Sequence, residues 1–350
     1  TTYGRGTNGL VYQQVVSTLP RLADEQVSLL PLYTNMLTEL GLGDSSYLEV
    51  QHRQSAEVGA INAFSSMRGA VDDEQAVTAN FVLSSKALLR HATQQSRLMH
   101  DTLYKARFDE TDRLRDLVSQ QRARREQSIT GNGHALAMTA ASAGMSPLAE
   151  LNHKLSGLAG IRALRALDES LDDKDTLQRF ADDLAALHHS VVAMPVQLLA
   201  VAESDKVKGV ADAAADIWLP ETSHDDTDSF TLPARREKRG ELWLTNTQVN
   251  FCAQAYPTVT VQHPDAAPLT VLGGVLRNGF LHRAIREQGG AYGGGASQDS
   301  GIAAFRFYSY RDPRLEDTLA DFDASITWLL EEEHEYRALE EAILGVVSSL

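Results

Sequence analysis

The sequence predicts an α+β fold of two related domains, each a largely antiparallel sheet covered by helices. The chain has 350 residues, which is enough for two ordinary domains, and 43% of them are hydrophobic, as in a globular protein. Each half also shows the same order of predicted elements: a strand, helices, a pair of strands and more helices. The repeat is one of element order alone, because the letters of the two halves show no self-similarity.

The first half opens on a strand, since residues 8–19 are rich in β-branched side chains. A helix is predicted from Asp24 to about Leu40, where Gly41 and Gly43 end it. The other elements predicted for this half are a helix over 46–58, paired strands over 59–68 and 76–86, a helical region over 87–190, a strand over 191–201 and a helix over 207–218.

A polar segment separates the two halves. Glu221–Asp228 is acidic, Arg235–Arg239 is basic, and prolines flank both, which is typical of a linker. We therefore expect a first domain over 1–220, a linker over 221–240 and a second domain over 241–350.

The second half repeats the element order of the first. It is predicted to contain strands over 241–245 and 248–257, a helix over 265–288, a hairpin over 291–310 and helices over about 314–331 and 335–350.

The junction between that helix and the hairpin carries the polar groups of most interest. The helix has an apolar face at Leu269, Leu272, Leu276 and Phe280. Arg286 lies in its last turn, and Gly289 and Gly290 follow as a helix stop. Tyr292 then opens an extended segment whose Gly293–Gly295 leave the backbone bare.

Two interpretations of this junction stay open on physical grounds. In the first, Arg286 caps its own helix and Tyr292 is half-buried. In the second, both side chains donate hydrogen bonds to a peptide, because a guanidinium is a fixed fork of donors and a phenol supplies one more. The glycine-rich edge beside them would then accept an extended peptide by strand addition.

Two motifs resemble a known family. They are Arg-Glu-Gln-Gly-Gly-Ala-Tyr-Gly at 286–293 and Phe-Tyr-Ser-Tyr-Arg-Asp-Pro-Arg at 307–314. They resemble the C-terminal, non-catalytic half of pitrilysin/insulinase zinc metallopeptidases, with the presequence-protease branch as the closest fit, and the resemblance extends over most of the chain. It implies that this half holds the third and fourth of four domains.

The same resemblance implies a role for the junction. In that family, two bowl-shaped halves close around an unfolded peptide, and an Arg and a Tyr with this spacing help to hold it at the zinc of the first domain. By resemblance those residues are Arg286 and Tyr292, with Gly293 and Gly294 beside them in the substrate-binding site.

The zinc motif of the family does not occur in this sequence. None of the 11 histidines begins His-x-x-Glu-His or His-Glu-x-x-His. The nearest approach is His334-Glu335, where Ala338 occupies the position of the second ligand. We therefore expect no metal and no cofactor in this chain and no catalysis by this chain alone. The resemblance implies that the zinc lies in the N-terminal half and that the parent protein is an enzyme.

Composition excludes several other functions. Asp and Glu number 47 against 32 Lys and Arg, which argues against a nucleic-acid surface. No run of about 18 apolar residues exists, so no membrane span is expected. The single cysteine, Cys252, excludes an internal disulfide and fits a reducing compartment, from which we expect a cytoplasmic location. Both ends of the sequence are expected to be cut.

The resemblance thus implies that this chain is the substrate-enclosing, peptide-binding half of a zinc metalloendopeptidase. Its expected partners are the N-terminal catalytic half of the same polypeptide and an unfolded peptide substrate. The alternative is a zinc-less scaffold or binding subunit of a larger complex.

Overall fold

The computed structural model describes residues 1–218 and 228–349, and the chain divides into two compact units. Unit 1 consists of Thr1–Met67, Thr78–Arg122 and Leu164–Thr231, and unit 2 of Arg68–Val77, Ala123–Ala163 and Leu232–Leu350. The units group the parts of the chain that pack together, whether or not they are contiguous in sequence. The domain ranges expected from the sequence stay a prediction.

The elements up to residue 218 follow the predicted order, with one additional short strand at the start. They are β1 (Thr2–Gly4), β2 (Leu10–Thr18), α1 (Asp24–Leu37), α2 (Tyr47–Glu57), β3 (Ala60–Gly69), β4 (Val77–Leu88), α3 (Ala92–Tyr104), α4 (Thr111–Ser142), α5 (Pro147–Leu155), α6 (Leu158–Ser170), α7 (Lys174–Val192), β5 (Val196–Ala202) and α8 (Val207–Trp218).

The elements after residue 228 are fewer. They are β6 (Ala253–Pro257), α9 (Ala266–Leu276), a π-helical segment (Arg277–Gln288), β7 (Gly293–Asp299), β8 (Ala304–Tyr310), α10 (Glu316–Glu331) and α11 (Tyr336–Ser348).

The first sheet has the strand order β1-β5-β2-β4-β3. Strand β2 pairs antiparallel with both β4 and β5, whereas β1 pairs parallel with β5. Alternate residues of β2 are buried, among them Val11, which packs in a cluster with Ala92 and Val210 of the covering helices. The predicted α+β class is confirmed.

The second sheet has the order β6-β8-β7 and is antiparallel throughout. Phe305 and Phe307 of β8 point into a core that also contains Leu276, Ile285 and Phe322. Burial alternates from Phe305 onward, because Ser309 is also buried whereas Arg306, Tyr308 and Tyr310 are only partly buried.

Three predicted strands differ from the structure, and one of them, predicted over 248–257, begins only at Ala253. The segment 241–245 forms no strand, because Trp243 packs against the Arg162 guanidinium at 4.7 Å while Leu244 is 91% exposed, and no described strand lies beside it to pair with. The strand expected over 191–201 starts only at Val196, because α7 continues to Val192.

Part of the expected linker packs in unit 2. The amide of Glu237 donates to the Gly144 carbonyl at 2.8 Å, and the Arg239 guanidinium pairs with Glu150 at 3.0 Å. A side chain at Gly144 would collide with the Glu237 carbonyl, 2.1 Å from its Cβ, so this close approach requires glycine. Residues 219–227, which include most of the acidic stretch, lie outside the described residues.

In the described part of the chain, no helix is both long and apolar enough to cross a membrane.

A buried tyrosine–histidine pair joins two helices of unit 1. Tyr33 of α1 and His188 of α7 share a hydrogen bond of 2.9 Å, and Phe108 packs against both rings. Burial lowers the pKa of His188 to about 4 and raises the pKa of Tyr33. His188 is therefore neutral in the folded chain at neutral pH.

This pair predicts a loss of stability in mild acid. Below about pH 6.5 the unfolded chain binds a proton at His188 that the folded chain does not bind until about pH 4. We expect the free energy of unfolding to fall by about 2 kcal/mol between pH 6.5 and pH 5 from this group. Urea titrations of the wild type and of His188→Gln at both pH values measure it. Equal losses in the two proteins would contradict the assignment.

Candidate functional site

The π-helical segment ends at Gln288, just before the two glycines that predicted a helix stop, but its last hydrogen-bonded turn is wider than that of a Schellman stop. Gly290 has φ +80°, the left-handed conformation that favours glycine. Its amide donates to the Arg286 carbonyl, and the Ala291 amide donates to the Ile285 carbonyl, both at 3.1 Å. Each bond spans one residue more than in a Schellman stop, as expected where a π-helical segment runs to the end.

A buried carboxylate fixes this helix end to the hairpin. Asp312, which is fully buried, accepts from the Arg314 amide at 2.9 Å and from the Thr318 hydroxyl at 2.7 Å. The Arg314 guanidinium then bonds Asp321 at 2.8 Å and the Ala284 carbonyl at 3.3 Å. The motif at 307–314 thus supports the stop through a hydrogen-bonded network.

Gly289 makes room for that network. A Cβ added at Gly289 would lie 1.9 Å from a terminal nitrogen of Arg314, so a larger residue there would displace the guanidinium. Gly289 is needed for this close approach and Gly290 for its backbone conformation, which gives the two glycines of the motif different roles.

The structure brings Arg286 and Tyr292 together at this junction. The guanidinium carbon of Arg286 lies 5.8 Å from the centre of the Tyr292 ring, a cation–π distance. Both side chains are exposed, Tyr292 to 65%. Neither makes a side-chain hydrogen bond within residues 1–218 and 228–349. The interpretation of Arg286 as a helix cap and Tyr292 as half-buried is therefore wrong, and their donors are available to a ligand.

Aromatic residues that sequence reasoning did not identify support Tyr292. The Tyr310 ring meets it edge-on, with centroids 5.5 Å apart, and also contacts His134 at 4.9 Å and Phe251 at 5.8 Å. Burial lowers the pKa of His134 and so favours its neutral form. Tyr310 could be suspected from its outward position on β8, but nothing in the sequence connects residues 134 and 251 to this place.

The glycine-rich edge is open over only part of its length. Strand β7 is an edge strand, and a Cβ added at Gly293 would meet no atom within 4 Å. A Cβ added at Gly294 would lie 2.9 Å from Cγ2 of Ile285. Farther along the strand, a Cβ added at Gly273 of α9 would lie 2.8 Å from the Ala296 carbonyl oxygen, so α9 packs closely against β7 there. Any strand addition is therefore confined to the Gly293 end.

The junction is cationic although the chain carries a net charge of −15. Residues 277–311 contain five arginines and two acidic residues. Arg306 pairs with Asp299 at 3.1 Å. The other arginines have no carboxylate partner among the residues the structure describes: Arg277, Arg283, Arg286 and Arg311. An unneutralised group of this kind attracts anionic or carbonyl-rich ligands.

Outside residues 219–227 and 350, no group of three His, Cys, Asp or Glu side chains is placed to hold a metal ion. His334 of the nearest sequence match to a zinc motif bonds the Leu329 carbonyl at 2.9 Å. Burial raises the pKa of Cys252, the single cysteine, which disfavours the nucleophilic thiolate form.

Comparison with protein families decides the relationship. A model of the region associated with subfamily C of the M16 peptidases matches residues 1–167, and the "PreP C-terminal domain" model matches residues 240–350. The chain belongs to the M16, or pitrilysin/insulinase, peptidase family. Within this M16 chain, the junction at Arg286 and Tyr292 falls in the part that matches the PreP C-terminal domain.

Relatives and solved structures agree with this. The mitochondrial presequence protease of Yarrowia lipolytica is 29% identical over 346 residues, which cover 97% of this chain and 34% of that protein. The M16 chain thus spans about a third of the length of the curated relatives it matches. The presequence-protease resemblance is confirmed.

Solved structures with low sequence identity to this M16 chain share its fold. A conserved protein from Enterococcus faecalis V583 superposes with a TM-score of 0.68 at 12% identity, covering 97% of this M16 chain and 80% of that one. A peptidase M16 inactive domain from Pseudomonas fluorescens superposes with a TM-score of 0.59 at 13% identity, covering 100% of this M16 chain and 80% of that one.

Proposed function

We propose that this M16 chain is the peptide-binding part of a zinc metalloendopeptidase that encloses and degrades unfolded peptides. In this proposal the zinc lies in the N-terminal half of the same polypeptide. The observation that carries it is the cation–π contact between Arg286 and Tyr292, two exposed donors whose side chains make no hydrogen bond among the described residues. Membership of a peptidase family supports the same function.

The two donors have distinct tasks in this proposal. The Arg286 guanidinium donates to a carbonyl of the substrate next to the scissile bond, and the Tyr292 hydroxyl donates to the same region. Gly293 and Gly294 let the extended peptide approach the backbone of β7 closely. The zinc, when bound in the other half, would supply the Lewis acid and the attacking water.

The alternative, a zinc-less scaffold subunit, assigns no ligand to this pair. In that case the exposed guanidinium and phenol would have no task, and the peptide-binding role accounts for them better.

Recombining the two halves tests the proposal. We expect the isolated chain to bind no stoichiometric zinc and to leave an unstructured fluorogenic peptide intact, because none of its 11 histidines begins a zinc-peptidase motif. Adding the N-terminal half encoded upstream should restore hydrolysis. Metal analysis and a peptide cleavage assay measure both. Zinc and activity in the isolated chain, or no activity after mixing, would argue against it.

A further inference from the structure

The side chain of Arg277 reaches the face of β7 that Ile285 does not cover. Neighbouring strand residues point to opposite faces, and Ile285 fills the face on which Gly294 points. A Cβ added at Gly295 would lie 3.2 Å from Cγ and Cδ of Arg277 and 3.1 Å from the hydroxyl of Tyr308. Arg277 and Tyr308 therefore meet over Gly295.

Both side chains keep donors that are not used. The Nε of Arg277 donates to the neighbouring Asn278 at 3.3 Å, but its terminal nitrogens have no partner in the described part of the chain. The Tyr308 hydroxyl likewise has no hydrogen bond to a described residue. A guanidinium and a hydroxyl that converge without an acceptor of their own suit a carboxylate, which accepts several such bonds.

The spacing along β7 relates this pair to the proposed peptide site. Gly293 and Gly295 lie two residues apart, about 7 Å along the strand, and they share a face. An extended peptide has the same repeat, so its alternate side chains match these positions. A peptide held by Arg286 and Tyr292 at the Gly293 end would thus bring a group about two residues away to Arg277.

We infer that Arg277 and Tyr308 form a subsite for a carboxylate of the peptide, from either an acidic side chain or the C-terminus. The inference rests on the proposed function, which supplies the peptide. It adds a preference that the net charge of −15 would not suggest, since the chain as a whole repels acidic peptides. The excess of arginines over acids in residues 277–311 reverses that field locally.

Peptide binding to the 350-residue chain tests the subsite. Three fluorescent unstructured peptides with blocked N-termini are compared by anisotropy at physiological ionic strength. One has a single central Glu and an amidated C-terminus, the second has Gln in its place, and the third has that Gln and a free C-terminal carboxylate.

The wild type should bind the Glu peptide about fivefold more tightly than the Gln peptide, the upper range for an exposed ion pair. In Arg277→Gln the Glu and Gln peptides should bind equally well, and in Tyr308→Phe the ratio of their affinities should be about twofold smaller than in the wild type. Arg283→Gln is the matched control, since it lowers the positive charge of the same helical segment by the same amount but removes no donor over Gly295, so most of the ratio should remain. A gain for the third peptide would identify the C-terminus as a second source of the carboxylate.

Equal affinity for all three peptides, or equal effects of Arg277→Gln and Arg283→Gln, would overturn the subsite. Arg286→Gln separates this result from failure of the proposed function. If it weakens all three peptides while their affinities stay equal, the subsite alone is wrong. If no peptide binds, or if Arg286→Gln has no effect, the proposed function fails and the subsite fails with it.

Discussion

Replacing Arg286 with alanine in the full-length peptidase is expected to lower kcat/KM for an unstructured peptide by about a hundredfold, the loss typical of one donor to a polarised carbonyl in a closed site. The guanidinium is exposed and has no carboxylate or carbonyl partner among the described residues, so its removal does not break a structural bond. Zinc content should stay unchanged. Single-turnover cleavage and metal analysis of the same preparations measure the two quantities.

Two companion variants show whether the effect belongs to the position and to the hydrogen bonds. Arg283→Ala removes the same charge from an exposed site on the same helical segment and should retain near-wild-type turnover. Tyr292→Phe keeps the ring that contacts Tyr310 and Arg286 but removes the hydroxyl, for which we expect about a tenfold loss. Wild-type turnover in both Arg286→Ala and Tyr292→Phe would refute the proposed role of the pair.

The parts of this site that depend on local order were predictable from the sequence. A helix end, two glycines and a strand start follow one another within a few residues, so the chain itself places Arg286 near Tyr292. The supports contributed by distant segments were not predictable. His134 and Phe251 reach Tyr310 only through the fold.

The errors in the element assignment have physical causes as well. Alternating apolar letters suit a strand, but 241–245 has no neighbouring strand in the described part of the chain to complete its hydrogen bonds. The change to a π-helix at Arg277 was hidden because an apolar residue every three or four positions predicts a helix without fixing its pitch. In the π-helical segment the buried residues are Leu281, Ala284 and Ile285.

Removing the carboxylate of Asp312 is expected to lower the free energy of unfolding of unit 2 by about 3–5 kcal/mol. Asp312 is fully buried, and alanine would leave the Arg314 amide and the Thr318 hydroxyl without their acceptor in a site closed to water. The helix end that carries Arg286 would also loosen, because Arg314 bonds the Ala284 carbonyl at 3.3 Å.

Urea unfolding of the 350-residue chain measures this loss, with far-UV circular dichroism and tryptophan fluorescence read together because two compact units need not unfold as one. Asp312→Asn keeps the shape and one acceptor oxygen, so it should cost less than Asp312→Ala. The exposed Glu333→Ala is the control for loss of a negative charge and should stay within about 0.5 kcal/mol of the wild type. If Asp312→Ala behaves like Glu333→Ala, the network does not hold the junction, and the position of Arg286 must depend on the helix stop alone.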